Sequence, residues 1–269
     1  MANKSMQDLS FMSKTLGILG VGHLASYVVT GLRNAGDQRP VLLSPRNKKR
    51  ALTLKQEYGC DIAVDNQAVV NQCKIVLLSV RPAQVEEILN NLKFTADHLL
   101  VSCVAGISLE QIKILAGPAE VVLTLPLACS EMGQGVVPLH PDNLIARELL
   151  SRLGRVIVFN DQGQFGLAST AACMNGWMYA FLDNLTNWFA AKGLSETQAR
   201  ELVLHSVQGA TALAAVKTDQ SLREICDSIA TSGTYTRIGL DILEAKEAFS
   251  PWAEACEKIN EALAEEKSD

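Results

Sequence analysis

The chain has 269 residues, of which 48% are hydrophobic and 20% are charged, and its formal net charge is -5. This composition is typical of a globular protein and excludes fibrous and disordered classes. The acidic balance disfavours a nucleic-acid partner, because nucleic-acid surfaces carry a basic excess. Residues 1–13 lack the unbroken apolar run of a signal peptide or membrane anchor, so they are interpreted as a loose leader and no membrane partner is expected.

Cysteine and histidine usage indicates the compartment and argues against a metal site. The seven cysteines form an odd set with no C-x-x-C pair and lie mostly in apolar runs, which is typical of a reducing cytoplasm. The four histidines include no pair at helical ligand spacing and have no neighbouring cysteine cluster. We therefore expect a cytoplasmic protein without a metal, whose partner is a small molecule.

From Thr15 to about Phe159, short apolar runs alternate with segments of helical period, which predicts β-α-β crossovers and a parallel sheet. The predicted strands are Leu16–Gly20, Val41–Ser44, Ile75–Val80, Leu99–Val104, Val121–Leu125 and Val156–Phe159. The predicted helices between them are Leu24–Ala35, Lys48–Tyr58, Pro82–Leu92 and Leu109–Ala116. The first half, 14–160, is thus predicted to be a doubly wound α/β domain.

From Gln162 onward the strand signals stop, and breaks occur only near Lys192–Ser195, Lys217–Asp219 and Thr231–Thr234. This pattern predicts an all-helical domain over 161–269. Its first helix, about Gln162 to Lys192, is apolar on nearly all sides and has to be covered all round. We expect a second subunit to cover it, which gives a homodimer or larger homo-oligomer through the C-terminal helices.

A glycine-rich turn, Gly20-x-Gly22-x-x-Ala25, follows the first strand and opens a helix. In this context the glycines allow a tight turn and the approach of a pyrophosphate to the helix N-terminus, where His23 and Leu24 follow. The turn therefore predicts a dinucleotide site, although two glycines can also make a tight turn alone. His23 either donates to the pyrophosphate or faces solvent, and both interpretations stay open.

The end of the second strand favours NADPH over NADH. An acid about 20 residues beyond the glycines would bind a free ribose 2′-OH, but none occurs from Gln38 through Gln56. Instead the strand runs into Ser44, Arg46 and Asn47, whose hydroxyl, guanidinium and amide groups suit a 2′-phosphate. Arg46 is the best candidate for that contact. The cations that follow, Lys48–Arg50, are also explained as a solvated helix start, although a cationic first turn opposes the helix dipole.

Further motifs resemble the pyrroline-5-carboxylate reductases, in order and with few gaps from Leu16 to about Leu263. The matches include the opening turn, Asn66, the strand that ends in Ser79-Val80-Arg81-Pro82, and Ser102-Cys103-Val104-Ala105-Gly106-Ile107. The resemblance implies an N-terminal Rossmann domain followed by an all-α dimerisation domain. It also implies that these loops line the cofactor cleft through Asn66, Ser79, Val80, Arg81, Pro82, Ala105 and Gly106.

The family's substrate turn is best preserved in Thr231-Ser232-Gly233-Thr234-Tyr235-Thr236. The resemblance implies that Thr231, Ser232, Gly233 and Thr234 bind the substrate and that Thr236 is the catalytic residue beside the imine nitrogen. Taken alone, the run indicates only a helix N-cap. Two other substrate segments depart from the family, namely Leu125-Pro126-Leu127-Ala128-Cys129 and Met174–Tyr179, where no glycine-rich turn interrupts the helix.

The resemblance implies an oxidoreductase that reduces the C=N bond of Δ1-pyrroline-5-carboxylate to proline with NADPH. Such a reaction needs positioning more than an acid–base pair, and the sequence offers no obvious pair. Two alternatives stay open. One is a reductase of the same fold that acts on a different, more apolar imine or carbonyl, which Leu127, Ala128, Cys129 and Trp177 would suit. The other is a non-catalytic dinucleotide-binding dimer.

Overall fold

The structure is a computed structural model that describes residues 15–265, so the leader predicted at 1–13 lies outside the described residues. The described chain divides into two compact units, the first comprising residues 15–169 and 262–265 and the second running from Thr170 to Glu261. The domain limits expected from the sequence, 14–160 and 161–269, stay predictions.

An eight-stranded sheet forms the first unit, in the order β3-β2-β1-β4-β5-β6-β7-β8. The strands are β1 (Leu16–Leu19), β2 (Val41–Leu43), β3 (Asp61–Ile62), β4 (Ile75–Leu78), β5 (Leu99–Ser102), β6 (Glu120–Thr124), β7 (Val136–His140) and β8 (Arg155–Val158). Every neighbouring pair is parallel except β6 with β7. The strand order reverses between β1 and β4, so their carboxyl ends form the crevice where ligands of such sheets bind.

Helices alternate with the strands of this unit. They are α1 (His23–Asn34), α2 (Lys48–Tyr58), α3 (Asn66–Gln72), α4 (Val85–Leu89), α5 (Leu109–Ala116) and α6 (Leu144–Leu150), with short 3-10 helices at Pro82–Gln84 and Ala128–Met132. The next helix, α7 (Gln162–Ala191), begins in the first unit. A doubly wound α/β sheet with a single antiparallel pair is the result.

Alternation of side chains along the central strands explains why helices cover both faces. Leu16 and Ile18 of β1 pack on one face of the sheet, whereas Leu19 packs in the cluster on the other. In β4, Leu77 and Leu78 divide between the same two clusters, and both are fully buried. Strands buried on both faces read as continuous apolar runs, which is why the sequence revealed them.

The sequence prediction was wrong in three details of this unit. It missed β3 and α3, because a two-residue strand is too short for a hydrophobic pattern. It missed β7 and α6, because Pro138 within Val136–His140 argues against a strand inside a sheet. The helix predicted over Pro82–Leu92 is a 3-10 turn followed by the short α4, which ends at Leu89.

The second unit is helical, as predicted. It continues α7 and contains α8 (Glu196–Val216), α9 (Leu222–Ile229), α10 (Tyr235–Ala245) and most of α11 (Ser250–Glu265). No helix of the described residues is long and apolar enough to cross a membrane. Large apolar side chains are exposed along these helices: Met174, Tyr179, Phe181, Trp188, Leu202, Leu204, Leu213, Ile238, Ile242 and Leu243. An exposed apolar surface of this extent is typical of an interface.

Candidate cofactor and substrate site

The glycine turn at the end of β1 is held by hydroxyl groups from both flanking strands. Ser44, directly after β2, accepts a hydrogen bond at its Oγ from the Gly20 backbone N–H at 3.0 Å. Ser79, directly after β4, donates from its Oγ to the Gly20 carbonyl at 2.7 Å. Both polar groups of the Gly20 backbone are therefore fixed by neighbouring strands, and the turn keeps one shape.

Gly20 and Gly22 have different surroundings. Gly20 has a φ of +90°, and a β-carbon there would lie 2.4 Å from Val80 Cγ1 and 2.6 Å from the Ser79 carbonyl oxygen. Gly22 has a φ of -101°, and a β-carbon there would meet no protein atom within 4 Å. Gly20 is therefore needed for the turn itself, whereas Gly22 leaves open space.

Gly22 is also the N-cap of α1. It supplies no side-chain acceptor, and the first turn of α1 contains no acidic residue. The N–H groups of that turn, including the backbone N–H of Leu24, therefore keep their donors for another partner. An anion is the partner that these donors and the helix dipole favour.

Positive and amide groups lie at the end of β2. Asn47 caps α2, accepting from the Arg50 backbone N–H at 3.3 Å, and its Nδ2 donates to the Val21 carbonyl at 2.9 Å. Arg46 is exposed, and with the Gln84 amide turned so that its oxygen faces Arg46, the two terminal nitrogens of Arg46 donate to that oxygen at 2.8 and 3.0 Å. In the described part of the chain, no carboxylate pairs with Arg46.

A cleft of about 430 Å³ brings most of the predicted cofactor residues together at the carboxyl ends of β1, β2 and β4. The predicted residues that line this cleft are Gly20, Gly22, Ser44, Arg46, Asn47, Asn66, Ser79, Val80 and Arg81. The charged residues of that lining, Arg46 and Arg81, are both positive. The cleft thus offers glycine backbone and cations to a ligand with several phosphate groups.

Five predicted residues lie outside that lining. Pro82, Ala105 and Gly106 line a second cavity of about 610 Å³ beside α4 and α5. His23 is exposed at the start of α1, and Leu24 packs partly buried against the core of the sheet, which leaves only its backbone N–H for a ligand. Their roles as cofactor ligands stay predictions.

The sequence prediction missed Val21, Gln84 and Ile88, which also line the cleft. Gln84 and Ile88 are four residues apart, and that spacing places both on one side of a helical segment. This signal was available in the sequence once a helix was predicted from Pro82. A further cavity, of about 650 Å³, shares Arg46, Asn66 and Ile88 with the cleft and extends it past α3.

The predicted substrate turn lies in the second unit, between α9 and α10. Thr234 is the N-cap of α10, because its Oγ1 accepts from the Arg237 backbone N–H at 3.2 Å and donates to the Thr231 carbonyl at 2.8 Å. Gly233 has a φ of +83°, which an L side chain rarely adopts. Thr231, Ser232 and Thr236 are exposed, so their hydroxyl groups are accessible within this unit.

Glu244 of α10 ties the two helices that flank this turn. Its carboxylate accepts from Arg223 of α9 at 2.9 Å and from Arg237 of α10 at 2.6 Å. Hydrogen bonds from Arg223 and Arg237 hold the pKa of the Glu244 carboxyl below its ordinary value. These ion pairs join the two helices that flank the turn.

The two segments that depart from the family's substrate motifs have different secondary structure. Leu127 caps the 3-10 helix Ala128–Met132, and Cys129 lies against Gly135, where a β-carbon would be 2.6 Å from its Sγ. The segment Met174–Tyr179 lies inside α7, which continues without a break from Gln162 to Ala191. The absence of a glycine turn there agrees with the sequence prediction.

Within the described residues, the lining of the cleft contains no cysteine, histidine, lysine or carboxylate. Burial raises the pKa of the Cys103 thiol far above its ordinary value, so this residue is a core group and not a nucleophile. Among residues 15–265, no group of three metal-ligating side chains lies close enough together to hold an ion.

Two family models match the chain. The first, described as NADP oxidoreductase coenzyme F420-dependent, matches residues 15–106, and the second, described as pyrroline-5-carboxylate reductase dimerisation, matches residues 167–266. The chain is 25% identical over 248 residues to the pyrroline-5-carboxylate reductase of Haemophilus influenzae, a match that covers 87% of this chain and 90% of that protein.

Solved structures show the same fold. The pyrroline carboxylate reductase of Plasmodium falciparum with NADP bound gives a TM-score of 0.83 at 21% identity, covering 96% of this chain and 99% of that one. A reductive aminase of Aspergillus terreus, in complex with NADPH and ethyl-5-oxohexanoate, gives 0.60 at 17% identity, covering 95% and 92%. The predicted fold, a Rossmann-like domain followed by a helical dimerisation domain, is confirmed.

The N-terminal match is to an oxidoreductase, the C-terminal match is to the pyrroline-5-carboxylate reductase dimerisation family, and the curated relatives align over most of their length. Together these findings support the pyrroline-5-carboxylate reductase family for this chain, as a divergent relative.

Proposed function

We propose that this protein reduces the C=N bond of a cyclic imine with NADPH, and that its substrate is Δ1-pyrroline-5-carboxylate, which becomes proline. The observation that carries the proposal is the acid-free cleft, where the glycine turn, Arg46 and Asn66 lie together. The choice of substrate rests on the relatives named pyrroline-5-carboxylate reductase.

The residues of the cleft fit NADPH. The open space at Gly22 and the uncapped first turn of α1 suit the pyrophosphate, since a ligand there meets N–H donors and no side chain. Arg46 suits the 2′-phosphate because a guanidinium donates two hydrogen bonds in a fixed fork. The predicted cofactor ligands His23, Leu24, Asn47, Ser79–Pro82, Ala105 and Gly106 complete the proposed site.

When bound, NADPH supplies a hydride from C4 of its nicotinamide to the imine carbon. The chain's own contribution is to hold the imine in place and to donate to its nitrogen while that atom takes the electron pair. Thr236 is the proposed donor, and Thr231 to Thr234 hold the substrate carboxylate at the N-terminus of α10. Positioning of this kind accounts for much of the rate of such transfers.

The dimerisation family match supports assembly of identical subunits, and we propose a homodimer or larger assembly through the helices of the second unit. The exposed apolar side chains Tyr179, Trp188 and Ile242 support this assignment. We also propose a cytoplasmic location, with the usage of cysteine as its support.

The test is turnover by the purified protein. With pyrroline-5-carboxylate, the NADPH absorbance band should decay and proline should form in equal amount. Thr236→Val is the decisive variant, because it keeps the shape and removes the hydroxyl, and Thr218→Val on the exposed loop after α8 is its matched control. Loss of turnover in both variants, or in neither, contradicts the role of Thr236. Binding of NADPH without any turnover contradicts the proposed reaction and favours a non-catalytic dimer.

A second candidate is reduction of a more apolar imine or carbonyl. Leu127 and Ala128 at the 3-10 helix favour it, because their side chains offer no hydrogen bonds in a segment that departs from the family. The fold likeness to a reductive aminase, which was solved with ethyl-5-oxohexanoate, also supports this second candidate. A panel of cyclic imines and 2-oxo acids, compared by kcat/KM, separates the two candidates.

A further inference from the structure

Arg50 lies beside the proposed NADPH site and connects the start of α2 with the first turn of α1. It is the third residue of α2, which follows β2, yet its guanidinium contacts the first turn of α1. Nη1 donates to Ser26 Oγ at 3.3 Å, and Nη2 lies 3.1 Å from His23 Nε2. The Ser26 hydroxyl in turn donates to the Gly22 carbonyl at 3.3 Å. Arg50 is therefore bonded to the helix that begins at the glycine turn.

The contact between Arg50 and His23 favours one tautomer of the imidazole. A guanidinium can only donate, so this contact suits the tautomer in which Nε2 accepts and Nδ1 carries the proton. The Nδ1–H donor then belongs to the residue directly after Gly22. Without Arg50, either tautomer would be available to the exposed ring.

The charges around Arg50 indicate a negative ligand. The first turns of both α1 and α2 contain no acid, and Arg46, Lys48, Lys49 and Arg50 form no ion pair within the described residues. Cations at helix N-termini oppose the helix dipole, so the free protein gains nothing from this arrangement. An anion at the two helix ends would compensate for it.

We propose that Arg50 is a positioning residue for the dinucleotide pyrophosphate, acting through His23, whose Nδ1–H it orients as a donor. The pyrophosphate is common to NADPH and NADH, so Arg50 contributes to the binding of both. Arg46, in contrast, binds the 2′-phosphate, which only NADPH carries. The assignment rests on the proposed function only in that the cleft binds a dinucleotide. It extends that function by dividing the two arginines of one helix start between two phosphate groups.

Binding of NADPH and NADH to matched variants tests this division without any imine substrate. Arg50→Gln should raise the Kd of both dinucleotides by the same factor, about tenfold for the loss of one charge-assisted hydrogen bond. Arg46→Gln, the same change four residues earlier, should raise the Kd of NADPH and leave that of NADH unchanged. An effect of Arg50→Gln on NADPH alone would assign it to the 2′-phosphate and overturn the proposal.

The route through His23 has its own test. In a His23→Phe background, which keeps the ring and removes its nitrogens, Arg50→Gln should change the Kd of either dinucleotide less than twofold. An undiminished tenfold effect would mean that Arg50 acts without His23. In the ligand-free protein, ¹⁵N chemical shifts of the His23 imidazole should report the Nδ1–H tautomer, and Arg50→Gln should abolish that preference.

The imidazole readout needs no bound dinucleotide, so it distinguishes failure of this inference from failure of the proposed function. Wild-type protein that binds neither NADPH nor NADH overturns the proposed function. A mixed His23 tautomer in the wild type overturns the role of Arg50 alone.

Discussion

Substitution of the two glycines of the turn by alanine should separate stability from binding. At Gly20 the new β-carbon meets Val80 Cγ1 at 2.4 Å and the Ser79 carbonyl at 2.6 Å, with a φ of +90°. Strain at such a φ costs about 1–3 kcal/mol, and overpacking adds about 1–3 kcal/mol. We therefore expect Gly20→Ala to lower the free energy of unfolding by about 2–6 kcal/mol, and Tm by roughly 4–24 °C.

Gly22→Ala should leave stability nearly unchanged, because its β-carbon meets no atom within 4 Å and its φ of -101° suits alanine. The added methyl group instead occupies the space where a pyrophosphate would reach the N-terminus of α1. We expect the Kd for NADPH to rise at least tenfold, a loss of about 1.4 kcal/mol.

Thermal unfolding without ligand, followed by NADPH titration at a temperature where both variants are folded, measures the two effects separately. The reasoning about the turn is refuted if Gly22→Ala unfolds as early as Gly20→Ala. The placement of the pyrophosphate is refuted if Gly22→Ala binds NADPH as tightly as the wild type.

Three further predictions concern the rest of the chain. Burial raises the pKa of Asp37, but hydrogen bonds and charge from Arg39 outweigh this effect and hold that pKa below its ordinary value. The resulting stabilisation is present at neutral pH and is lost as the pH falls through the lowered pKa. Asp37→Asn should therefore reduce the loss of folding stability at acid pH, measured by urea unfolding. Leu78→Ala should cost about 2–5 kcal/mol in the same assay, whereas Ile114→Ala at an exposed site should cost less than about 0.5 kcal/mol. Glu244→Gln should raise the KM for the imine severalfold with little change in Tm, because the exposed ion pairs position the substrate turn; an unchanged KM would show that they do not.

The sequence predicted the parts of the fold that depend on repeated apolar patterns. Strands such as Leu99–Ser102 are buried on both faces, so their composition alone reveals them. Elements that depend on their neighbours were missed: Asp61–Ile62 extends the sheet by two residues beside β2, and Val136–His140 contains a proline. Their place in the sheet is determined by pairing partners distant in sequence.

The same distinction applies to the candidate site. The glycine turn and Arg46 follow a strand directly, so the fold brings them together wherever the motif occurs. Gln84 lines the cleft beside Arg46, and Arg50 contacts His23, which lies 27 positions earlier in the sequence. Contacts of this kind between long side chains have no pattern in the sequence, and only the structure reveals them.

The hydroxyl groups that hold Gly20 have a consequence for how the protein takes up its ligand. Because Ser44 and Ser79 already satisfy the Gly20 backbone, the turn requires no reordering before a phosphate group arrives. A preorganised site avoids the entropy cost of ordering a loop, so its affinity comes from the contacts themselves. Loss of the two hydroxyls should therefore weaken dinucleotide binding, because the turn would have to be ordered at each binding event.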